Sequence, residues 1–360
     1  MPTDPPTPQI VVDAHEDIAF NAVVYGRDFT KSAYTKRKLE GSVPQAHGIA
    51  TTGLPESRLG RVGIIFGTLF VAPAWAADSF PGYETPQQAY TQALDQIDVY
   101  HRMAENDGKI TLVRTQAELD SVLVTWAEGV GIEDHKVGIV ISMEGADPII
   151  EPKAFEEWYE RGVRAVGLAW SETRYSGGTK RPGPLTAMGR DLLEVMESFN
   201  TILDLSHMAD EAYFEAVERY GGPIIASHSN PRKFCDTDRQ LSDDMIRRLA
   251  ERDGVMGIVP YNNFLQNGWS ITDKKVATKL DLVIGAIDHV CQVTGSANHV
   301  GIGSDFDGGF GAESIPAELD TVADLRLIGP ALVARGYTPE AVTAILSGNF
   351  LRILRTALPK

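Results

Sequence analysis

Short apolar segments rich in β-branched residues alternate along this chain with longer segments whose apolar residues recur every three or four positions. Segments of the first kind predict buried strands, and segments of the second kind predict amphipathic helices. Eight strands are predicted, at residues 10–12, 62–71, 137–142, 162–170, 201–206, 223–227, 255–259 and 300–304. The clearest helices are predicted at residues 86–103, 185–198, 210–220, 242–253 and 280–294.

This alternation of strand and helix predicts a parallel sheet, and about eight repeats favour a closed (β/α)8 TIM barrel. An open, doubly wound sheet is the alternative. No GxGxxG motif opens a helix after the first strand, which argues against a dinucleotide-binding fold. The lone pair Gly301 and Gly303 is interpreted as serving strand packing. We therefore predict one barrel domain over residues 1–360, with an irregular excursion around 29–61 and a C-terminal helical region around 320–358.

The composition limits the binding partners and the cellular compartment that we expect for this chain. The chain has 360 residues, 43% of them hydrophobic, and a formal net charge of −16, which opposes binding to nucleic acid or to an anionic membrane surface. No run of 18 apolar residues predicts a spanning helix, and residues 1–9 lack the features of a secretory signal. Cys235 and Cys291 form no C-x-x-C pair, which favours two reduced thiols in a cytoplasmic protein, although a disulfide between them stays open.

Three of the eight histidines, His15, His207 and His228, stand at the carboxyl ends of predicted strands. In a parallel barrel these ends converge on one mouth, where the chemistry of such proteins takes place. His207 and His228 are one strand–helix unit apart, so their imidazoles are expected to be neighbours. The remaining histidines are interpreted as surface or packing residues: His47, His101, His135, His289 and His299.

Carboxylates accompany these histidines at other strand ends. His15 and Asp17 are two positions apart, so in an extended chain both can face one metal ion. Glu144 follows the third predicted strand, and its two oxygens can bridge two cations. Asp305 follows the eighth strand and can take a proton from a metal-bound water. Asp307 has the same strand parity, but the two glycines after it favour a role in a turn.

Each of these residues alone is more often a capping, loop or solvated residue than a ligand, but their coincidence on strand ends favours a metal site. Imidazole and carboxylate ligands without thiolates suit Zn²⁺ and related divalent ions. Two such cations would deprotonate a bridging water near neutral pH and polarise a scissile carbonyl, whereas one cation could do the first alone. The residues by themselves thus predict a metal-dependent hydrolase.

The order of these residues also resembles that of the amidohydrolase superfamily. Several segments resemble, more narrowly, the renal (membrane) dipeptidase family: VDAHED at 12–17, LDLSH at 203–207, ASHSN at 226–230, HVGIGSDFDG at 299–308 and GNFLR at 348–352. The resemblance runs from about residue 10 to about residue 356, with the segments in the family's order.

The resemblance implies a dipeptidase with two Zn²⁺ ions per chain. It implies that five side chains hold the ions, with His15 and Asp17 on one, His207 and His228 on the other, and Glu144 bridging both. Glu144 then replaces the carboxylated lysine that many members of the superfamily use. Asp305 is implied as the residue that shuttles a proton.

Three further residues are assigned to substrate binding by the same resemblance. Arg239 matches the family's arginine for the substrate's terminal carboxylate, a task that suits a guanidinium fork, although alone it would be taken for a solvated loop residue. Tyr261 resembles a tyrosine near the same carboxylate. Trp170 stands where mammalian members have a histidine that helps to bind the scissile carbonyl. Because Trp offers only an N–H donor, either Trp170 shapes the pocket or carbonyl polarisation rests on the metals.

The expected activity is hydrolysis of dipeptides with a free C-terminal carboxylate, and L-Xaa-D-Xaa substrates are implied because the family tolerates a D-residue at that end. One alternative is another amidohydrolase reaction, on an N-acyl amino acid, a lactam or a lactone. A second is a non-catalytic barrel that binds peptides. Membrane attachment is not carried over, because neither the signal nor the lipid-attachment tail of the anchored relatives is visible. A homodimer is an expectation because relatives often pair.

Overall fold

The computed structural model describes residues 10–41, 46–77, 80–273 and 275–360. Residues 1–9, which we examined for a secretory signal, and residues 42–45 of the predicted excursion lie outside the described residues. The described part contains eleven strands: β1 (Val11–Glu16), β2 (Val62–Phe70), β3 (Ile110–Leu112), β4 (Val137–Glu144), β5 (Val163–Gly167), β6 (Ser176–Gly178), β7 (Arg181–Leu185), β8 (Ile202–Asp204), β9 (Ile224–Ala226), β10 (Val255–Ile258) and β11 (Val300–Ile302).

Eight of these strands close into a parallel barrel in the order β1-β2-β4-β5-β8-β9-β10-β11. The ring is complete because β1 pairs with both β2 and β11, and β2 also pairs with β4. Strand β3 lies outside the ring and pairs with the first residues of β4. Strands β6 and β7 form a separate antiparallel hairpin. The predicted TIM barrel is confirmed, and the open doubly wound sheet is excluded.

Helices connect the barrel strands and cover the outside of the barrel. In the described ranges they are α1 (Ile18–Tyr25), α2 (Ala33–Glu40), α3 (Leu54–Leu59), α4 (Pro86–Asn106), α5 (Gln116–Leu123), α6 (Phe155–Glu160), α7 (Ala187–Ser198), α8 (Asp210–Arg219), α9 (Asp243–Glu251), α10 (Asn262–Leu265), α11 (Leu280–Thr294), α12 (Ile328–Arg335), α13 (Pro339–Thr343) and α14 (Asn349–Ala357). Their beginnings follow from local chemistry. At α9, for example, the Ser242 hydroxyl caps the helix by accepting a hydrogen bond from the Met245 N–H.

Two apolar layers stabilise the barrel. Side chains at alternate strand positions, such as Val12, Phe66 and Val140, form one cluster with Phe350 and its neighbours on α14. The other strand face packs against the surrounding helices in a second, larger cluster.

The two glycines in and directly after β11 have the predicted role in packing. A Cβ atom added at Gly301 would lie 2.5 Å from the Phe350 ring, and one added at Gly303 would lie 1.8 Å from the Ser227 carbonyl oxygen.

Strands β1 and β4 are longer than their apolar segments indicate, whereas β8, β9 and β11 are shorter. Strand β1 continues to Glu16 and β4 to Glu144, so that His15 and Glu144 belong to strands instead of following them. Strand β5 ends earlier than predicted, at Gly167, and Trp170 lies in the loop beyond it. The β6–β7 hairpin was not predicted, since its glycines and prolines are typical of loops. The excursion around 29–61 contains α2 and α3.

Two observations bear on the predicted compartment. Within the described ranges, no helix combines the length and the apolar character needed to cross a bilayer. Cys235 and Cys291 are free thiols, so the disulfide that the sequence left open is absent between them.

Candidate metal centre

The five predicted ligand side chains meet at the carboxyl end of the barrel, and all five residues are buried. Glu144 lies at the centre of the group. Its Oε1 is 3.0 Å from His207 Nε2 and 3.2 Å from His228 Nε2, and its Oε2 is 3.7 Å from His15 Nε2. The Oδ2 atom of Asp17 is 3.6 Å from the same nitrogen of His15. The structure therefore brings together the side chains that the sequence distributes over more than 200 positions.

Asp305 borders this group on the His15 side. Its Oδ1 lies 3.8 Å from His15 Nε2, and its side chain is 13% exposed. Two overlapping sets of ligand atoms each lie within 4.8 Å of one another: those of His15, Glu144 and His228, and those of His15, Asp17 and Asp305. His15 belongs to both sets, so it lies where the two halves of the centre adjoin.

Irregular backbone conformations direct several of these side chains toward the centre. The β1–β2 register shifts between Asp13 and Glu16, and such a bulge redirects the side chains within it. Asp17 directly follows β1 at the N-cap position of α1. His207 has a φ of 65° and Asp305 a φ of 57°, which is the left-handed region that non-glycine residues adopt rarely and often at functional sites.

A hydroxyl oxygen lies beside Nδ1 of each of the three imidazoles. The pairs are Thr68 with His15 at 3.3 Å, Thr179 with His207 at 3.1 Å, and Ser227 with His228 at 2.7 Å. When Nδ1–H donates to such an oxygen, the Nε2 lone pair is left facing Glu144. This is the arrangement of a histidine ligand that is oriented through its other nitrogen.

Asp204 determines the tautomer of His228 through Ser227. The Asp204 carboxylate accepts hydrogen bonds from the N–H groups of Ser206 (3.0 Å) and Ser227 (2.9 Å) and from the Ser227 hydroxyl. A serine hydroxyl has one hydrogen, so Ser227 Oγ can only accept from His228 Nδ1–H. The spacing of Asp204 to His207 carried no such information, because the partner strand supplies Ser227.

The buried charges of the centre shift one another's pKa values. Burial by itself lowers the pKa of His15, but the carboxylates of Glu144, Asp17 and Asp305 outweigh burial and raise it to about 10. Burial raises the pKa of Glu144 to about 8 and that of Asp305 to about 7, although the charge of His15 opposes both shifts. These buried carboxylates therefore favour a positive charge among them, either a proton on His15 Nε2 or a metal ion in its place.

The two histidines on the other side of Glu144 are held neutral. Burial, together with the positive charges of Arg239 and His15, lowers the pKa values of His207 and His228 well below the usual range. A neutral imidazole is the form that binds a metal ion.

Unpartnered polar atoms complete the description of the centre. The Nε2 atom of His15 and the Oδ1 atom of Asp17 are buried and have no hydrogen-bond partner. Such orphaned groups are costly in a protein interior. Convergent carboxylates, lone-pair nitrogens and orphaned atoms together fit divalent cations.

The three predicted substrate-binding residues line one cavity of about 540 Å³ with the cluster. Arg239 is buried, and its guanidinium donates to Ser229 Oγ (3.0 Å) and to the His228 carbonyl oxygen (2.6 Å). Tyr261 is stacked on Phe310 with 4.1 Å between ring centroids.

Trp170 lies near the metal centre, with its ring centroid 6.3 Å from that of His207. All of the predicted site residues except His15 thus line the same cavity.

Two residues have surroundings that the sequence did not reveal. His47, interpreted as a surface or packing residue, lines the cavity and is stacked on Tyr25 at 3.6 Å. Asp307 adopts the expected left-handed turn conformation but also accepts hydrogen bonds from the N–H and hydroxyl groups of Thr51 and Thr52. Asp307 therefore fastens the excursion to the barrel mouth. No local pattern predicts this contact across more than 250 residues.

A parallel barrel whose mouth gathers imidazoles and carboxylates around a buried cavity defines a metal-dependent hydrolase. The chain belongs to the membrane dipeptidase family (peptidase family M19), whose model matches residues 7–358. It is therefore a metallo-dipeptidase, and the family predicted from the sequence is confirmed.

Relatives and solved structures agree with this assignment. The chain is 27% identical to an uncharacterized dipeptidase of Schizosaccharomyces pombe, covering 96% of this chain and 80% of that protein. It is 28% identical to human Dipeptidase 3, over 86% of this chain and 59% of that protein.

Among solved structures, one described as dipeptidase AC, a metallopeptidase, has a TM-score of 0.78 at 23% identity, covering 98% of this chain and 99% of that one. A metallopeptidase from Rhodobacter sphaeroides, liganded with a phosphinate mimic of the dipeptide L-Ala-D-Ala, has a TM-score of 0.77 at 24% identity, covering 97% and 99%. These two similarities show the fold.

We expect Ser227→Ala to weaken the binding of a divalent ion, tested with Zn²⁺, about 10- to 100-fold, because His228 loses the hydroxyl that orients its ring. Affinity is measured by competition with a chromophoric chelator. Ser198→Ala is the matched control, since the exposed Ser198 hydroxyl donates only to the Val195 carbonyl oxygen. Unchanged zinc affinity in the Ser227 variant, with the native fold retained, would show that this hydroxyl does not position the ligand.

Proposed function

We propose that this metallo-dipeptidase hydrolyses dipeptides that have a free C-terminal carboxylate, and that it uses two Zn²⁺ ions per chain. The observation that carries the proposal is the position of Glu144, whose two oxygens face His207 and His228 on one side and His15 on the other. The side chains at the centre supply nitrogen and oxygen ligands, which suit zinc. The two ions would be held by His15 and Asp17, by His207 and His228, and by Glu144 between them.

Two zinc ions bound there would supply an activated water nucleophile and polarise the scissile carbonyl. The protein's own part begins with proton transfer at Asp305. Its Oδ1 faces the cluster, and a carboxylate at this position can accept a proton from the attacking water and return it to the leaving amine.

Arg239 would bind the substrate's terminal carboxylate. Among the residues that the structure describes, none forms an ion pair with this buried guanidinium, whose hydrogen bonds go to neutral oxygen atoms. A buried cation without a paired anion favours an anionic ligand. The His228 carbonyl and Ser229 hydroxyl hold the fork in place beside the metal centre, which orients a bound dipeptide over it.

The stereochemistry is the finer part of the proposal. Relatives of known structure include a metallopeptidase liganded with a mimic of L-Ala-D-Ala. From this bound ligand we infer that L-Xaa-D-Xaa dipeptides are substrates of this chain. The two free thiols further support a cytoplasmic location for the enzyme.

The function is tested by a dipeptide screen in both stereochemical series, with metal content measured on the same chelator-free sample. We expect turnover of dipeptides and about two equivalents of zinc. Turnover of N-acyl amino acids, lactams or lactones in place of dipeptides would favour another amidohydrolase reaction. Zinc-loaded protein that binds dipeptides but cleaves none would identify a binding protein.

We expect Arg239→Met to remove the enzyme's discrimination against substrates without a terminal carboxylate. For the native enzyme, amidating the dipeptide C-terminus should lower kcat/KM about 10- to 150-fold, the value of a charged hydrogen bond. In the variant, the acid and its amide should be cleaved at similar, low rates. Arg174→Met is the control, because Arg174 pairs with Asp147 outside the residues that line the cavity. If the Arg239 variant still discriminates between the acid and the amide as the native enzyme does, Arg239 does not bind the substrate's carboxylate.

A further inference from the structure

Four aromatic side chains form a continuous surface along one side of the cavity, here called the aromatic wall: Phe20, Phe70, Phe80 and Trp170. The Phe70 ring is central. Its centroid lies 5.0 Å from that of Phe20, 5.8 Å from that of Phe80 and 5.1 Å from that of Trp170. Interplanar angles of 63° to 73° give edge-to-face contacts, which hold the rings in fixed positions.

The aromatic wall and Arg239 lie on different sides of the barrel mouth. Phe20 belongs to α1, which follows β1, Phe70 ends β2, and Trp170 follows β5. Arg239 instead follows β9. In the barrel order β1-β2-β4-β5-β8-β9-β10-β11, the wall borders the β1–β5 half, and Arg239 lies beyond β8. The metal centre adjoins both, because the Trp170 ring lies 6.3 Å from that of His207 and Arg239 donates to the His228 carbonyl oxygen.

This placement determines which end of a bound dipeptide lies at Arg239 and which lies at the aromatic wall. An extended dipeptide spans about 7 Å. With its carboxylate on Arg239 and its peptide carbonyl at the metal centre, its N-terminal residue points toward the aromatic wall. This step rests on the proposed function, since it takes Arg239 as the carboxylate site.

We propose that the aromatic wall is the pocket for the side chain of the substrate's N-terminal residue, that it selects large apolar side chains, and that Trp170 is the main determinant of this selectivity. The four wall side chains carry no charge, so a charged substrate side chain would lose its hydration there without gaining a partner. Trp170 spans the distance between Phe70 and His207, so it forms the part of the wall next to the metal centre.

The prediction is measured as kcat/KM for a series in which Gly, Leu, Phe or Asp precedes the same D-Ala. We expect the Leu and Phe dipeptides to exceed Gly-D-Ala at least about tenfold, and the Asp dipeptide to fall below it. Preference for the Asp dipeptide would overturn the proposal and point instead to the exposed Lys180 at the cavity rim.

Substitutions in the aromatic wall test which side chains cause the preference for large apolar N-terminal residues. In Trp170→Ala the Leu-to-Gly ratio of kcat/KM should fall about tenfold, and Phe80→Ala should lower it in the same direction. Trp75→Ala is the matched control, because Trp75 is 46% exposed, is stacked by Arg181 and is not part of the wall. Metal content and circular dichroism establish that each variant is folded.

The outcomes separate the two proposals. If folded, zinc-loaded enzyme cleaves no dipeptide, Gly-D-Ala included, the proposed function fails. If Gly, Leu and Phe dipeptides are cleaved equally well, or if both wall variants keep the native ratio, only the aromatic wall proposal is overturned. A ratio that falls in the wall variants and persists in Trp75→Ala supports it.

Discussion

Glu144→Gln should lower kcat/KM for a dipeptide by at least about 10³-fold, equivalent to about 4 kcal/mol of transition-state stabilisation. The substitution keeps the size of the side chain and removes its charge. In the native protein the carboxylate oxygens of Glu144 lie 3.0–3.7 Å from Nε2 of three imidazoles, so this one side chain contacts both halves of the centre. Two cations that lack the bridging charge repel each other, and the bound zinc should fall below two equivalents.

The experiment compares steady-state rates and metal content of the same preparations. Glu172→Gln is the matched control, because the Glu172 side chain is 55% exposed and pairs with Arg181. It should change kcat/KM by no more than about twofold, as is usual for surface substitutions. Two equivalents of zinc and a native rate in Glu144→Gln would show that this carboxylate does not bridge the ions.

Asp305→Asn should reduce kcat about 10²- to 10⁴-fold while both zinc ions stay bound. An amide has nearly the size of a carboxylate but cannot accept and return a proton. The substitution suits the backbone, because Asp305 has a φ of 57°, a conformation that asparagine tolerates well. The loss should therefore come from proton transfer and not from a displaced loop.

Asp253→Asn provides a control with the same chemistry and conformation. Asp253 has a φ of 54°, is exposed, and lies just before β10 in the described chain, outside the residues that line the cavity. This variant should retain the native kcat. If Asp305→Asn keeps native kcat, or if its loss of rate follows a loss of zinc in proportion, Asp305 does not act as the proton shuttle.

The periodicity of the chain was sufficient to predict the barrel, because a strand buried on both faces needs a continuous apolar segment and a covering helix needs an apolar stripe. Each of the eight predicted segments overlaps a barrel strand. Their ends were less accurate where polar residues continue a strand. Glu16 and Glu144 pair with neighbouring strands, so β1 and β4 include His15 and Glu144, although these side chains belong to the proposed metal centre. Tertiary pairing with β2 and β5, not local propensity, extends these strands.

The sequence by itself determined the fold class, the family and the residues to be examined at the centre, because these depend on periodicity and on short motifs that the chain carries locally. Only the tertiary structure decided how the residues meet. It paired Ser227 with Asp204 and His228, fastened residues 51–52 to Asp307, placed His47 at the cavity, and joined Phe20, Phe70, Phe80 and Trp170 into one wall. These contacts join elements far apart in the chain, and closure of the barrel alone makes them neighbours.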